Sequence, residues 1–78
     1  MYVFYSANEC ATNAEKGFWN DSNKSWDVLD HATQYFFTET LNMSLPIAVG
    51  DDARVVAYSE AIKHYGTHDA YYLLNPPH

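Results

Sequence analysis

Two histidines and an aspartate near the end of the chain have a spacing that can hold a metal ion. His64 and His68 are four residues apart, and Asp69 directly follows the second histidine. On a continuous helix, residues four apart lie on one face, where two imidazoles can share a cation. Gly66 lies between the histidines and predicts a helix end there. We therefore expect surface histidines rather than a metal site, and we predict no cofactor.

Cys10 and the pair Asp51–Asp52 are the other residues that could do chemistry. A cysteine becomes a nucleophile when a neighbouring base deprotonates it, but no local motif pairs Cys10 with a histidine. The two aspartates could bind Mg²⁺ or Ca²⁺, but the alternating acids of a calcium loop are missing, so we expect a solvated turn. The sequence also lacks a glycine-rich phosphate loop and a serine–histidine–aspartate motif. We therefore predict that the protein is not an enzyme.

The distribution of negative charge is more informative than any of these motifs. Ten acidic residues oppose four basic ones, which gives a formal net charge of −6. The acids are spread along the whole chain and alternate with tyrosines, phenylalanines and tryptophans. Disordered acidic segments are poor in aromatic residues, so this composition predicts a folded domain with a negative surface. Such a surface attracts basic proteins and disfavours binding to nucleic acid or to an anionic membrane.

The length predicts a single compact domain over residues 1–78. Because Cys10 is the only cysteine, no internal disulfide can form, and small extracellular domains usually need such crosslinks. No apolar run resembles a signal peptide or approaches the length that crosses a membrane. We therefore expect a cytoplasmic protein.

The first part of the chain alternates short strands with one short helix. Tyr2–Tyr5 is aromatic and β-branched, which predicts a strand. Ser6 and Glu9 have the spacing of a capping box, in which each side chain bonds the amide of the other residue. A helix is expected from Ala7 to Lys16, with Gly17 ending it. Phe18–Trp19 is then extended, and residues 20–25 form a polar turn.

The middle of the chain allows two interpretations. One is a helix that begins at Asp27 or Asp30 and runs to about Met43, with apolar residues at helical spacing on one side. The other makes residues 35–37 a strand and begins a short helix at Thr38. We favour the long helix, by a small margin.

The last part of the chain predicts a turn, a strand, a helix and a final strand. Pro46 cannot continue a helix, and residues 50–52 form a turn. Arg54–Tyr58 is the clearest strand, Ser59 can cap a helix through Tyr65, and residues 70–74 form the last strand. The expected fold class is α+β, a small sheet of short strands with two to three short helices packed on it.

The apolar positions of these elements predict the core. The residues expected to be largely buried are Trp19, Trp26, Phe36, Val55 and Tyr58. On this basis Phe36→Ala should cost roughly 3–5 kcal/mol.

A string of short motifs resembles small proteins carried by phages and mobile elements. It spans residues 17–56 and comprises Gly17-Phe18-Trp19, Trp26, Ala32-Thr33-Gln34-Tyr35, Phe37-Thr38, Leu45-Pro46-Ile47 and Ala53-Arg54-Val55. In size and acidity the chain also resembles phage-encoded anti-CRISPR proteins. Several of those proteins imitate DNA and occupy the basic channels of CRISPR surveillance complexes. The resemblance implies the same kind of partner, a basic DNA-binding protein.

Charge and resemblance together predict a non-enzymatic inhibitor that mimics DNA and blocks the DNA-binding site of a type I CRISPR surveillance complex. Its partner-binding residues are expected to be Asp27, Asp30, Glu39, Asp51, Asp52 and Glu60. The first three would flank the long helix, where nine residues separate Asp30 from Glu39 by about 13.5 Å. Two alternatives stay open: an interaction module that uses exposed tyrosines, and a small metal protein built on the histidines.

Overall fold

The computed structural model describes residues 1–65, which form a four-stranded antiparallel sheet with three short helices. The α+β class predicted from the sequence is confirmed. The elements are β1 Tyr2–Tyr5, α1 Ala7–Thr12, β2 Phe18–Asn20, β3 Ser25–Asp27, α2 Phe37–Thr40, β4 Arg54–Ala57 and α3 Tyr58–Tyr65, with 3₁₀ turns at Leu29–His31 and Val49–Asp51. Within this part of the chain, no helix is long and apolar enough to cross a membrane. The expected strand at residues 70–74, and His68 and Asp69, lie outside the described residues.

The sheet has the order β3-β2-β1-β4, so the first strand occupies an inner position. Its pairing with β4 covers its full length, from Tyr2 opposite Ala57 to Tyr5 opposite Arg54. Its pairing with β2 is limited to Tyr5 opposite Phe18. The two strands on the other side of β1, β2 and β3, form a hairpin across the polar turn that the sequence predicted.

An extended segment, residues 33–35, makes backbone hydrogen bonds to both β1 and β2, at positions where these two strands do not pair with each other. The Thr33 amide donates to the Trp19 carbonyl oxygen at 2.9 Å. Tyr35 and Tyr2 exchange two backbone hydrogen bonds of 2.7 Å. The segment therefore satisfies backbone groups that β1 and β2 do not satisfy for each other.

The core lies on both faces of β1. Val3 and Tyr5 pack on one side with Phe18, Leu29 and Ala61, which ties α3 and the first 3₁₀ turn to the sheet. Phe4 is 1% exposed, and its ring stacks on Tyr35 with 4.8 Å between ring centroids. Alternate residues of a strand point to opposite faces, so β1 is apolar throughout because both of its faces are covered.

The long helix expected between residues 27 and 43 is wrong. The chain instead forms the end of β3, a 3₁₀ turn, the extended segment and the four-residue helix α2. The apolar spacing matched a helix, but the backbone bonds of Tyr35 to Tyr2 hold this region extended. The alternative interpretation is closer, although Tyr35 forms an isolated bridge and α2 begins one residue before Thr38.

The helix predicted from Ala7 to Lys16 ends earlier, at Thr12. Ala14 and Glu15 have positive φ angles of 52° and 68°, which a right-handed helix does not allow. At the far end, β4 stops at Ala57, and α3 begins at Tyr58 rather than after Ser59.

The predicted core is wrong for Phe36, which is 65% exposed because it precedes α2 on the surface. The other four predicted core residues, Trp19, Trp26, Val55 and Tyr58, are half-buried. The two tryptophans pack edge to face at 5.3 Å across the β2–β3 hairpin. Sequence reasoning missed the fully buried centre, which β1 and Phe18 supply.

Gly17 is required by close packing and not by the end of a helix. A Cβ atom at this position would lie 2.5 Å from Cys10 Cβ and 2.7 Å from the Ser6 carbonyl oxygen. We expect Gly17→Ala to lower the free energy of unfolding by about 1–3 kcal/mol, because the backbone must move. Urea denaturation measures this loss, with the exposed neighbour Lys16→Ala as control. Equal midpoints for the two variants would show that α1 does not pack on Gly17.

Candidate acidic binding surface

Asp27 and Asp30 lie at the end of the edge strand β3 and in the turn that follows it. One Asp27 carboxylate oxygen accepts from the Val28 amide at 2.7 Å and lies 3.2 Å from His31 Nδ1. The Val28 amide, with a smaller contribution from His31, holds the pKa of Asp27 below its usual range. Asp30 is exposed and makes no hydrogen bond or ion pair with residues 1–65. The Asp27 carboxylate thus carries its charge at neutral pH.

Glu39 lies in the first turn of α2, where a carboxylate is favoured by the helix dipole. Its Oε1 accepts from the Phe36 amide at 2.8 Å, which closes the N-terminal end of this four-residue helix. The side chain is exposed. Glu39 therefore presents its remaining carboxylate oxygen to solvent, in a position that the bond from the Phe36 amide fixes.

The Asp52 carboxylate binds the N-terminal end of α1. It accepts from the Ser6 hydroxyl, 46 residues away, and from the Asn8 amide at 2.9 Å. The Ser6 hydroxyl also accepts from the Glu9 amide at 3.0 Å, as the predicted capping box requires. The second half of that box is absent, because Glu9 Oε2 accepts from the Val49 amide at 2.9 Å instead. Asp52 and Glu9 thus join α1 to the second 3₁₀ turn.

Asp51 and Glu60 complete the predicted set. Asp51 is exposed and has a positive φ of 53°, and its amide donates to the Ala48 carbonyl oxygen at 3.0 Å, while its carboxylate has no partner among the described residues. Glu60 lies in the first turn of α3, 3.5 Å from Lys63 Nζ. The predicted arrangement along one helix is wrong, because Asp27, Asp30 and Glu39 belong to β3, a 3₁₀ turn and α2. The spacing of about 13.5 Å derived for a helix does not apply to this backbone.

Residues 25–53 contain five acidic residues and no lysine or arginine. Lys24 pairs with Asp21 at 2.7 Å, and Lys63 pairs with Glu60. The Arg54 guanidinium lies 5.5 Å from the centroid of the Tyr5 ring. In the part of the chain that the structure describes, no lysine or arginine therefore forms an ion pair with the acids of residues 25–53.

The other candidates for chemistry gain little support. Burial, with a contribution from Glu15, raises the pKa of the Cys10 thiol, so the thiolate is disfavoured. Among the described side chains, those of residues 1–63, no group of three or more potential metal ligands occurs, and the side chains of His64, His68 and Asp69 lie outside that set. The tyrosines at positions 2, 5, 35 and 58 are buried or half-buried. Among described side chains, Phe36 and Phe37 are the exposed aromatic residues, which the sequence analysis did not anticipate.

Asp52→Asn is expected to reduce stability at neutral pH and to weaken the acid sensitivity of the fold. The Ser6 hydroxyl and then the Asn8 amide hold the pKa of Asp52 below its usual range. A carboxyl with a lowered folded-state pKa stabilises the fold above its unfolded pKa and loses that contribution as the pH falls through the folded value. At pH values below about 4, the urea midpoint of the wild type should therefore decrease more than that of the variant. Parallel pH profiles would contradict this role.

No family model, no curated protein and no solved structure matches this chain.

Proposed function

We propose that this chain is a non-enzymatic inhibitor whose carboxylates occupy a basic DNA-binding site in place of DNA phosphates. The partner is a DNA-binding protein, and a type I CRISPR surveillance complex is the first one to test. The observation that carries the proposal is the stretch of residues 25–53, which holds five carboxylates and no lysine or arginine. Its negative charge is available to an external cation.

The way in which these carboxylates are held supports binding to a fixed array of cations. Asp27, Glu39 and Asp52 each accept a hydrogen bond from a backbone amide within the fold. Because an amide carries no net charge, these bonds orient the carboxylates without removing their negative charge. A pre-organised array loses less side-chain entropy on binding than flexible surface acids would lose. Asp30 and Asp51 are exposed and add charge at the two 3₁₀ turns.

The structure also changes the role assigned to one predicted residue. Asp52 is engaged by Ser6 and Asn8, so its replacement would disturb α1 as well as any binding. Asp30, Glu39 and Asp51 are better probes of binding. Each is exposed, and replacement of its carboxylate by the matching amide removes the charge, preserves the shape and keeps one acceptor oxygen.

The experiment is a titration of the protein into a purified, guide-loaded surveillance complex at rising salt concentration. We expect binding that weakens steeply with ionic strength, because the proposed contacts are charge pairs at an exposed surface. The wild-type protein should also prevent the complex from binding a target duplex. An affinity that is unchanged by salt would oppose mimicry and favour an apolar interaction module.

A further inference from the structure

The segment from Phe36 to Val49 exposes most of its large apolar side chains. Their exposed fractions range from 36% to 90%, and the residues are Phe36, Phe37, Leu41, Met43, Leu45, Ile47 and Val49. Single exposed apolar residues are ordinary on protein surfaces, but a run of seven in one segment is not. Contiguous exposed apolar surface is typical of interaction sites.

The segment also inverts the usual pattern of burial. Its buried residues are Thr40 and Ala48, which are small, whereas Leu41 and Ile47 beside them are 68% and 90% exposed. A loop that packed onto the core of its own domain would bury the large side chains first, since their burial contributes most. The outward position of the large residues is therefore not explained by packing within residues 1–65.

Three contacts hold this segment against the rest of the fold. The Phe37 ring lies 5.2 Å from the Tyr2 ring, measured between centroids. The Trp26 indole donates to the Ile47 carbonyl oxygen at 2.9 Å, and the Val49 amide donates to Glu9 at 2.9 Å. The segment is thus attached at its beginning and near its end, while the side chains of Leu41 and Ile47 between these contacts face outward.

Charge around the segment indicates what kind of surface it fits. Glu39 lies within it, Asp51 and Asp52 follow it, and Asp27 and Asp30 precede it. No lysine or arginine occurs between residues 25 and 53. An apolar centre with a charged rim is the usual anatomy of a protein interface. The complementary surface must offer apolar side chains at its centre and lysine or arginine around them.

We propose that residues 36–49 form the apolar centre of the docking surface and that the occupant is a cationic protein surface with an apolar cleft. This inference rests on the proposed function, because it assigns the acids of residues 25–53 to the rim of the same interface. Carboxylates then set the attraction to the basic site, and the apolar centre sets the lifetime of the complex. Duplex DNA has no apolar centre of this kind. The protein would therefore bind its partner more tightly than its carboxylates alone would bind it.

The test compares matched apolar-to-polar changes in the full chain. Ile47→Gln and Leu41→Gln remove exposed apolar side chains from the segment, whereas Ile62→Gln removes one of 43% exposure from α3. The probe is the purified, guide-loaded surveillance complex. We expect the double variant at positions 41 and 47 to bind at least about tenfold more weakly at every salt concentration, with an unchanged salt dependence. Ile62→Gln should bind as the wild type does.

Three results would overturn the inference. Wild-type affinity in the double variant, with salt dependence retained, would place the contact elsewhere and leave the proposed function intact. A wild-type dimer in sedimentation that dissociates in the double variant would identify a second copy as the occupant. A lowered urea midpoint in the double variant would show that the segment is covered within the chain itself. A wild-type affinity that does not depend on salt would instead contradict the proposed function.

Discussion

Phe4→Ala is expected to lower the free energy of unfolding by about 3–5 kcal/mol, whereas Phe36→Ala should change it by no more than about 0.5 kcal/mol. The two variants make the same chemical change at sites with 1% and 65% exposure. Phe4 stacks on Tyr35 beneath the sheet, so its removal leaves a cavity that the strands cannot close. Phe36 has little buried area to lose. The total free energy of unfolding of a small domain is only about 5–15 kcal/mol, so Phe4→Ala could prevent folding.

Urea denaturation followed by circular dichroism measures both changes. If Phe4→Ala does not fold, Phe4→Leu gives a smaller loss on the same scale, because the cavity is smaller. Similar losses for Phe4→Ala and Phe36→Ala would contradict the described core. They would restore the helix interpretation, in which Phe36 was buried.

Replacing Asp30, Glu39 and Asp51 together by their amides is expected to weaken binding to the surveillance complex by about tenfold. Each exposed ion pair contributes about 0.2–1 kcal/mol, so three lost pairs amount to about 0.6–3 kcal/mol. A tenfold change in affinity corresponds to about 1.4 kcal/mol, which lies within this range. Single changes should have small effects. The salt dependence should also become shallower, because fewer charge pairs form.

A second triple variant supplies the matched control. Glu15→Gln, Asp21→Asn and Asp69→Asn remove the same number of charges from outside residues 25–53 and from outside the predicted binding set. If net charge alone drives association, both triple variants should lose affinity equally. If residues 25–53 form the binding surface, the control should stay close to the wild type. Equal losses would therefore contradict the assignment of this surface.

Elements with a strong local signal were predicted well. Tyr2–Tyr5 and Arg54–Ala57 are short β-branched and aromatic runs, and both are strands of one sheet. The polar turn after Asn20 and the helix α3 over Tyr58–Tyr65 also follow from local composition. In each case the residues that determine the structure lie within the element or directly beside it, where a sequence pattern can reveal them.

Elements that depend on distant contacts were not predictable in this way. The region around Tyr35 has helical spacing, yet its backbone bonds Tyr2, far away in sequence. Gly17 looked like a helix stop, but it is needed because Cys10 and Ser6 pack directly against it. A pattern within one segment cannot reveal the partner that a second segment supplies, so tertiary contacts override local propensity here.

The acidic surface was predictable in composition and not in geometry. The absence of lysine and arginine from residues 25–53 is visible in the sequence. The bond of Asp52 to Ser6 spans 46 residues, so its structural role was not visible. The exposed apolar segment was also missed, because apolar residues such as Ile47 and Leu41 are normally assigned to a core.

The most direct test of the central claim is a competition between this protein and DNA for one site. A guide-loaded surveillance complex would be saturated with its target duplex before the protein is added, and binding would be followed with a fluorescent label on the protein. If the carboxylates occupy the site of DNA phosphates, the DNA-saturated complex should not bind the protein, while the DNA-free complex should bind it. Equal binding to both forms, with the duplex still in place, would contradict the claim that this protein mimics DNA.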